Sequence, residues 1–179
     1  MAGVAAVVVA VLAVAYVSFR APGGGAASHS KGQAVTEGQA VTWAGVEFTL
    51  LDTQCSTSNV GTPGYTWVGF QVRAQNTSPA IFQDTMNHWV AATDGQWFGE
   101  VQLQPGYNGG WPATWQPLLG SWFVSALDPG RETTGWFVFR MPIAKDHIAF
   151  GFTAYPVGLV SLVNAPPSSW VAEWDTHCP

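Results

Sequence analysis

The chain has 179 residues and a formal net charge of −5, with only 9% charged side chains against 13% aromatic ones, ten of them Trp. Average soluble proteins carry about 25% charged residues, and six Lys and Arg without any basic run cannot neutralise a track of phosphates, which excludes nucleic acid as a partner. Beyond an N-terminal export segment about 150 residues remain, which suits one domain with a full core.

Residues 2–19 (AGVAAVVVAVLAVAYVSF) are uncharged and apolar. As a helix they would extend about 27 Å, enough to span a hydrocarbon core. The run reads as a membrane anchor or a signal peptide. No Lys or Arg precedes it, and the small-x-small sequences Ala13-Val14-Ala15 and Gly25-Ala26-Ala27 lie inside the run and beyond Arg20, so an uncleaved anchor is preferred. Arg20 and Lys31 follow the span, and the positive-inside rule alone would put the rest of the chain in the cytoplasm. The cysteine pair and the low charge point the other way, and the expected location is a single-pass cell-membrane protein with its domain outside, or a secreted one if residues 1–27 are removed. The expected division is an anchor or signal over 1–20, a flexible Gly-, Ala-, Ser- and Gln-rich tether over 21–39, and a folded domain over 40–179.

Within the domain, Ala40 to Trp43, a Gly45 turn and Val46 to Leu51 open the β-pattern, with apolar and polar residues alternating from Val46 to Leu50. Cys55 to Gly64 reads as a loop. Tyr65 to Asn76 follows as a strand with Val68, Phe70, Val72 and Ala74 on one face, ending in the turn Asn76-Thr77-Ser78-Pro79. Thr93-Asp94-Gly95 between Met86 to Ala92 and Gln96 to Leu103 predicts a β-hairpin. Residues 104–117 (QPGYNGGWPATWQP) form a long Pro- and Gly-rich loop, and Leu118 to Ala126 is a short strand or a helical turn. Asp128-Pro129-Gly130 is a turn, and Thr133 to Met141 after it is apolar on both alternating sets, which predicts a central strand covered on both faces and stopped by Pro142. His147 to Tyr155 is the last core strand expected; Leu159 to Val163 and Trp170 to Trp174 are candidates for short edge strands.

Cys55 and Cys178 are the only cysteines. Without Cys-x-x-Cys spacing they point to a disulfide formed outside the cytoplasm, the alternative being two separate thiols. About seven or eight short strands, with turn signals between them and no helix after the anchor, predict an all-β, immunoglobulin-like antiparallel sandwich, with a closed barrel as the alternative.

Three segments also carry a family resemblance: Gly45-Val46-Glu47-Phe48-Thr49-Leu50; Phe70 to Ser78 (FQVRAQNTS); and Leu127-Asp128-Pro129-Gly130-Arg131-Glu132 with Gly135-Trp136-Phe137-Val138-Phe139 and Pro142. In this order the chain resembles secreted or membrane-attached bacterial domains of unknown function with a telokin-like immunoglobulin fold, related to the immunoprotective extracellular antigen type. The resemblance implies a sandwich outside the cell membrane and no reaction, cofactor or catalytic residue. The chain departs from it in having no lipid-anchor cysteine, in its Trp-rich loop and in the C-terminal extension that holds Cys178.

The titratable residues do not suggest a catalytic, cofactor or metal site. His88, His147 and His177 fall in no metal-binding spacing. Asp146-His147 are neighbours whose side chains diverge on a strand, and no Gly-x-Ser-x-Gly elbow is present. Asp84, Asp94, Glu100 and Asp128 are not clustered as calcium ligands usually are. The candidate surface is the Trp-rich loop, where Tyr107, Trp111, Trp115 and Trp122 would form an aromatic platform if exposed. The preferred alternative is that they fold back to plug one end of the sandwich. The first functional expectation is a non-catalytic module binding an envelope protein or other envelope component, with membrane contact through residues 2–19. A glycan-binding module using the loop comes second and needs two exposed, coplanar indoles. A hydrolase joining His88 or His147 to a carboxylate and a nucleophile is a distant third.

Overall fold

The computed structural model describes residues 33–84, 89–94, 96–99, 110–116, 125–143, 147–153 and 170–179. They form an all-β sandwich, and among the described residues there is no helix. The strands are β1 (Gln33–Val35), β2 (Ala40–Trp43), β3 (Val46–Ser56), β4 (Tyr65–Asn76), β5 (Phe82–Asp84), β6 (Trp89–Thr93), β7 (Gln96–Gly99), β8 (Ser125–Leu127), β9 (Glu132–Pro142), β10 (Ile148–Thr153) and β11 (Trp170–Thr176). One large sheet has the order β1-β11-β10-β6-β7, the other β2-β3-β4-β9, and β5 pairs with β8 alone. Residues 2–19, the 1–20 division and Leu159 to Val163 lie outside the described residues.

Between the sheets the core is largely aromatic. Phe70 of β4 stacks on Phe150 of β10 at 4.0 Å and 6°, and Trp89 of β6 stacks on Phe137 of β9 at 4.2 Å. Phe48, Phe139, Phe152 and Trp174 are fully buried around them. Each of these positions lies on the inward set of its strand, where pleat alternation sends every second side chain to the core.

Several expectations change here. β3 runs on to Ser56 instead of ending at Leu51, because the β3/β4 register shifts between Leu50 and Asp52. Leu51 is bulged out, and the extra residue resets the alternation so that Thr53 and Cys55 face inward where Asp52 and Gln54 do not. Cys55 therefore sits in a strand and not in a loop. Gln33–Val35, assigned to the tether, pairs in parallel with β11, so the folded unit begins by residue 33 and the sandwich is not wholly antiparallel. β11 is no edge strand: it lies between β1 and β10 with Trp174 and Ala172 in the core. Conversely β9, expected to be central, has β4 as its single ladder neighbour among the described residues, although both its faces are covered as predicted.

The hairpin signals hold. Ala44 and Gly45 both take positive φ, 50° and 79°, between β2 and β3, the pairing of left-handed residues that a two-residue turn with right-handed strand twist requires. Thr93 pairs with Gln96 across Asp94-Gly95, and Asp94 has φ 49°.

Two links fasten the sheets and loops. Cys55 of β3 and Cys178 after β11 form a disulfide across the sandwich, with Cα atoms 5.5 Å apart. Two residues earlier on each strand, Thr176 Oγ1 donates to Thr53 Oγ1 at 3.0 Å in a buried contact. At the opposite end Asn76 is fully buried. Its Nδ2 donates to Ala80 O at 2.8 Å and to Leu127 O at 2.7 Å, and its Oδ1 accepts from Ser78 N at 2.9 Å and Ser78 Oγ at 2.8 Å. Its backbone N–H donates to Arg131 O and its carbonyl accepts from Gly130 N, each at 2.9 Å. Asn76→Ala would remove four hydrogen bonds of a fully buried amide, among them the buried one to Leu127 O, and is expected to cost about 2–4 kcal/mol. The check is the urea midpoint of the full chain by tryptophan fluorescence; an unchanged midpoint would show that the turns hold each other without this amide.

Candidate functional site

The β3/β4/β9 register sends one set of residues to the outer face of the four-stranded sheet. Across β4 and β9 the facing pairs are Tyr65 with Pro142, Trp67 with Arg140, Gly69 with Val138 and Gln71 with Trp136; β3 adds Ser56, Gln54 and Asp52 beside Trp67, Gly69 and Gln71. Gly69 leaves a gap in this row, and the Trp115 ring fills it. A Cβ at position 69 would lie 2.7 Å from Trp115 Cε3, so only glycine lets the indole lie on the backbone.

Residues 110–116 form a strap over this floor. Trp115 stacks on Trp136 with centroids 5.2 Å apart and planes at 16°, and its Nε1 donates to Gln54 Oε1 at 3.0 Å. Gln54 is oriented in turn by donating Nε2 to Asp52 Oδ2 at 2.7 Å. Trp111 meets Trp67 edge-on at 5.4 Å, and Val60 and Val138 complete a small apolar cluster. The strap's backbone is also fixed: Trp115 N–H donates to Pro112 O at 3.0 Å, and Trp136 N–H on the flank of β9 donates to Gln116 O at 2.7 Å. Gly110, with φ 90°, passes close to Asn59; a Cβ there would be 2.7 Å from Asn59 O.

Of the four aromatics expected to form a platform, Trp111 is thus 9% exposed and Trp115 2%, while Tyr107 and Trp122 lie outside the described residues. The fold-back arrangement is what these two indoles adopt. They cover the outer face of a sheet, however, and not an end of the sandwich. Neither offers a face to a sugar ring in this arrangement.

A different surface, which sequence reasoning missed, is the rim where this outer face ends. Tyr65 is 37% exposed and Ile143 52%. The Arg140 guanidinium lies 5.3 Å over the Tyr65 ring and donates to Thr62 Oγ1. Ile143 N–H bonds Gly64 O at 2.9 Å, which fixes the segment beyond β9 against the loop before β4. The rim thus brings an aromatic ring and a cation together, with an exposed aliphatic residue on the segment that follows β9 at the same end of the sheet. Its signal in the sequence was the odd-numbered set of β4, in which Tyr65 and Trp67 face away from the core set.

Chemistry by titratable groups finds little here. His147 Nδ1 lies 3.3 Å from Asp175 Oδ1 on the neighbouring strand, both well exposed; Asp146 lies outside the described residues. Among the described residues no group of three His, Cys, Asp or Glu is placed to hold a metal ion. His88 and Glu100 lie outside the described residues. No described helix is long and apolar enough to cross a membrane.

The Gly69/Trp115 contact makes a quantitative prediction. Gly69→Ala should cost about 1–3 kcal/mol by forcing the indole off the sheet, and Trp115→Ala about 3 kcal/mol by emptying its seat. The double variant should cost clearly less than the sum, because the added methyl occupies the vacated space. Additive losses in a urea double-mutant cycle would show that the ring and the glycine do not share this seat.

No known family's sequence profile matches the chain, and no curated protein matches it. Solved structures do. A β-sandwich protein of uncharacterised function from Clostridium difficile 630 superposes with a TM-score of 0.50 at 12% identity, over 84% of this chain and 97% of that one. A provisionally named lipoprotein (ycdA) from Bacillus subtilis superposes with a TM-score of 0.50 at 11% identity, over 79% of this chain but 38% of that longer one. At such identities the likeness shows a shared fold alone: this chain is an all-β sandwich.

Proposed function

We propose that the chain is a membrane-tethered, extracytoplasmic, non-catalytic binding module, immunoglobulin-like in the telokin manner, whose partner meets the rim of Tyr65, Arg140 and Ile143. The observation that carries the partner surface is the exposure of Tyr65 and Ile143 at the end of the sheet where a guanidinium is held in place by Tyr65 and Thr62. Large apolar side chains exposed together on ordered backbone mark interaction surfaces, and Tyr and Arg are enriched among residues that dominate binding energy. The complementary partner presents an apolar side chain beside a carboxylate.

The extracytoplasmic placement is supported by the Cys55–Cys178 disulfide, which persists in oxidising compartments, and by the apolar run 2–19. The sandwich likeness to a provisional lipoprotein is compatible with it. The Trp-loop glycan reading loses its main support, because Trp111 and Trp115 are occupied with the protein's own sheet.

Two measurements test this. In intact cells a C-terminally tagged chain should be digested by added protease and should shift in mobility on reduction; protection with free thiols would place the domain in the cytoplasm. A photo-crosslinker at Ile143 should give a discrete adduct in the envelope that is lost in Tyr65→Ala and Arg140→Ala but kept in Arg73→Ala, an exposed cation further along β4. An adduct indifferent to Tyr65 and Arg140 would remove the rim as the binding surface.

A further inference from the structure

The parallel pairing of β1 gives the sandwich a direction. β11 runs from Trp170 toward Cys178, which is bonded to Cys55 near the rim end of β3. β1 runs the same way, with Gln33 level with Ala172 and Val35 level with Trp174. The chain therefore enters from the end opposite the rim. That far end is where Val46 pairs with Asn76 and where the turn after β4 projects, carrying Pro79, Ala80 and Ile81.

This turn is unlike the other exposed turns among the described residues. Its three apolar residues are all exposed, Ile81 at 55%. The polar backbone at its centre is paired from within: Ala80 O accepts from Asn76 Nδ2 at 2.8 Å and from Ser78 Oγ at 2.9 Å, Ala80 N–H donates to Ser78 Oγ at 3.3 Å, and Ser78 N–H donates to Asn76 Oδ1 at 2.9 Å. Pro79 has no N–H to satisfy. A backbone group already paired costs less to bring against lipid than one that must give up water. On the adjoining turn and the start of β9, Asp128, Arg131 and Glu132 are all exposed and sum to one negative charge, so attraction to an anionic surface has to come from the apolar residues.

We propose that the Pro79–Ala80–Ile81 turn is a second membrane contact, seating the sandwich end-on against the outer surface of the lipid bilayer with the Tyr65 rim turned away from it. The proposal rests on residues 2–19 being in the membrane. Thirteen residues, 20–32, then separate the span from β1, and a Gly- and Ser-rich chain of that length has a root-mean-square extent of about 20 Å. Such a tether holds the entry end close to the bilayer at high effective concentration, so a contact too weak to recruit a free domain is populated in this one.

The test uses the full chain in vesicles of phosphatidylethanolamine and phosphatidylglycerol, with Ile81→Cys or Ile143→Cys carrying an environment-sensitive fluorophore and nitroxide attached to the lipid tails. Flotation with the vesicles, with loss of most fluorescence at position 81 and none at 143, is the expected result. If the chain floats and position 81 is not quenched, the turn does not touch lipid, although the tether does. Quenching at position 143 would overturn the end-on arrangement. Failure to float would remove the membrane from this proposal and from the tethered reading together.

Discussion

Asn76 is the point on which the geometry of this sandwich turns. Its amide can donate twice and accept twice, and all four positions are filled by the turn that follows β4 and by Leu127, 51 residues away. Its own backbone groups then close on Gly130 and Arg131. A buried amide left half-satisfied would be costly, so only one relative placement of the β4 end and the Asp128-Pro129-Gly130 turn is favourable. That placement decides where β9 begins beside β4, from Gln75 opposite Glu132 onward. A slip by one residue would exchange every inward and outward side chain of β9. Phe137 and Phe139 would then leave the core, and Trp136 and Arg140 would leave the outer face on which the strap and the rim are built.

The low charge becomes intelligible from the outer faces. In both large sheets a glycine in a middle strand admits the flat face of an indole: Gly69 under Trp115 and Gly151 under Trp170, each with ring atoms 2.7 Å from where a Cβ would stand. Trp170 lies with Val90 and Ala92 in an apolar cluster that Trp97 and Ala149 flank, and Trp97 and Trp170 are 5.4 Å apart. The sandwich therefore continues its apolar packing on the outsides of its sheets, where many proteins place Lys and Glu. A chain built this way needs its tryptophans for cover, which is a structural use of residues that composition alone would assign to ligand binding.

The same fact explains how much of the molecule was legible. Strands β4 and β9, the β6/β7 hairpin and the disulfide could be read because alternation, Asp-Gly and cysteine count each act locally. β3 was truncated because the bulge at Leu51 breaks the period-two pattern by one residue, and β11 was demoted for a related reason: its register with β10 shifts between Phe152 and Thr153, sending Trp170 outward although Ala172 and Trp174 face in. β1 has three residues and no periodicity to detect; it is a strand because β11 offers it an edge. β9 was taken as central because both its faces are apolar, whereas its second cover comes from residues 110–116, distant in sequence. The rim escaped notice since Tyr65 and Ile143 lie at opposite ends of different segments, and nothing local says that Pro142 will stand opposite Tyr65.

These links also determine how the fold would bear load. In a tethered domain whose partner sits at the rim, tension enters at Gln33 and leaves through β4 and β9. Because β1 lies parallel to β11, the force acts along the β1/β11 ladder, and its rungs from Gln33 to Val35 are strained together and not peeled one by one. β11 cannot follow β1 out of the sheet, since Cys178 is covalently joined to Cys55 and Thr176 bonds Thr53 beside it. β3 passes the load to β4 through the long antiparallel ladder between them. On this path the two sheets are thus joined covalently twice, by the backbone of residues 36–39 between β1 and β2 and by the disulfide, and the aromatic core, whose attraction is non-directional, need not carry the load alone.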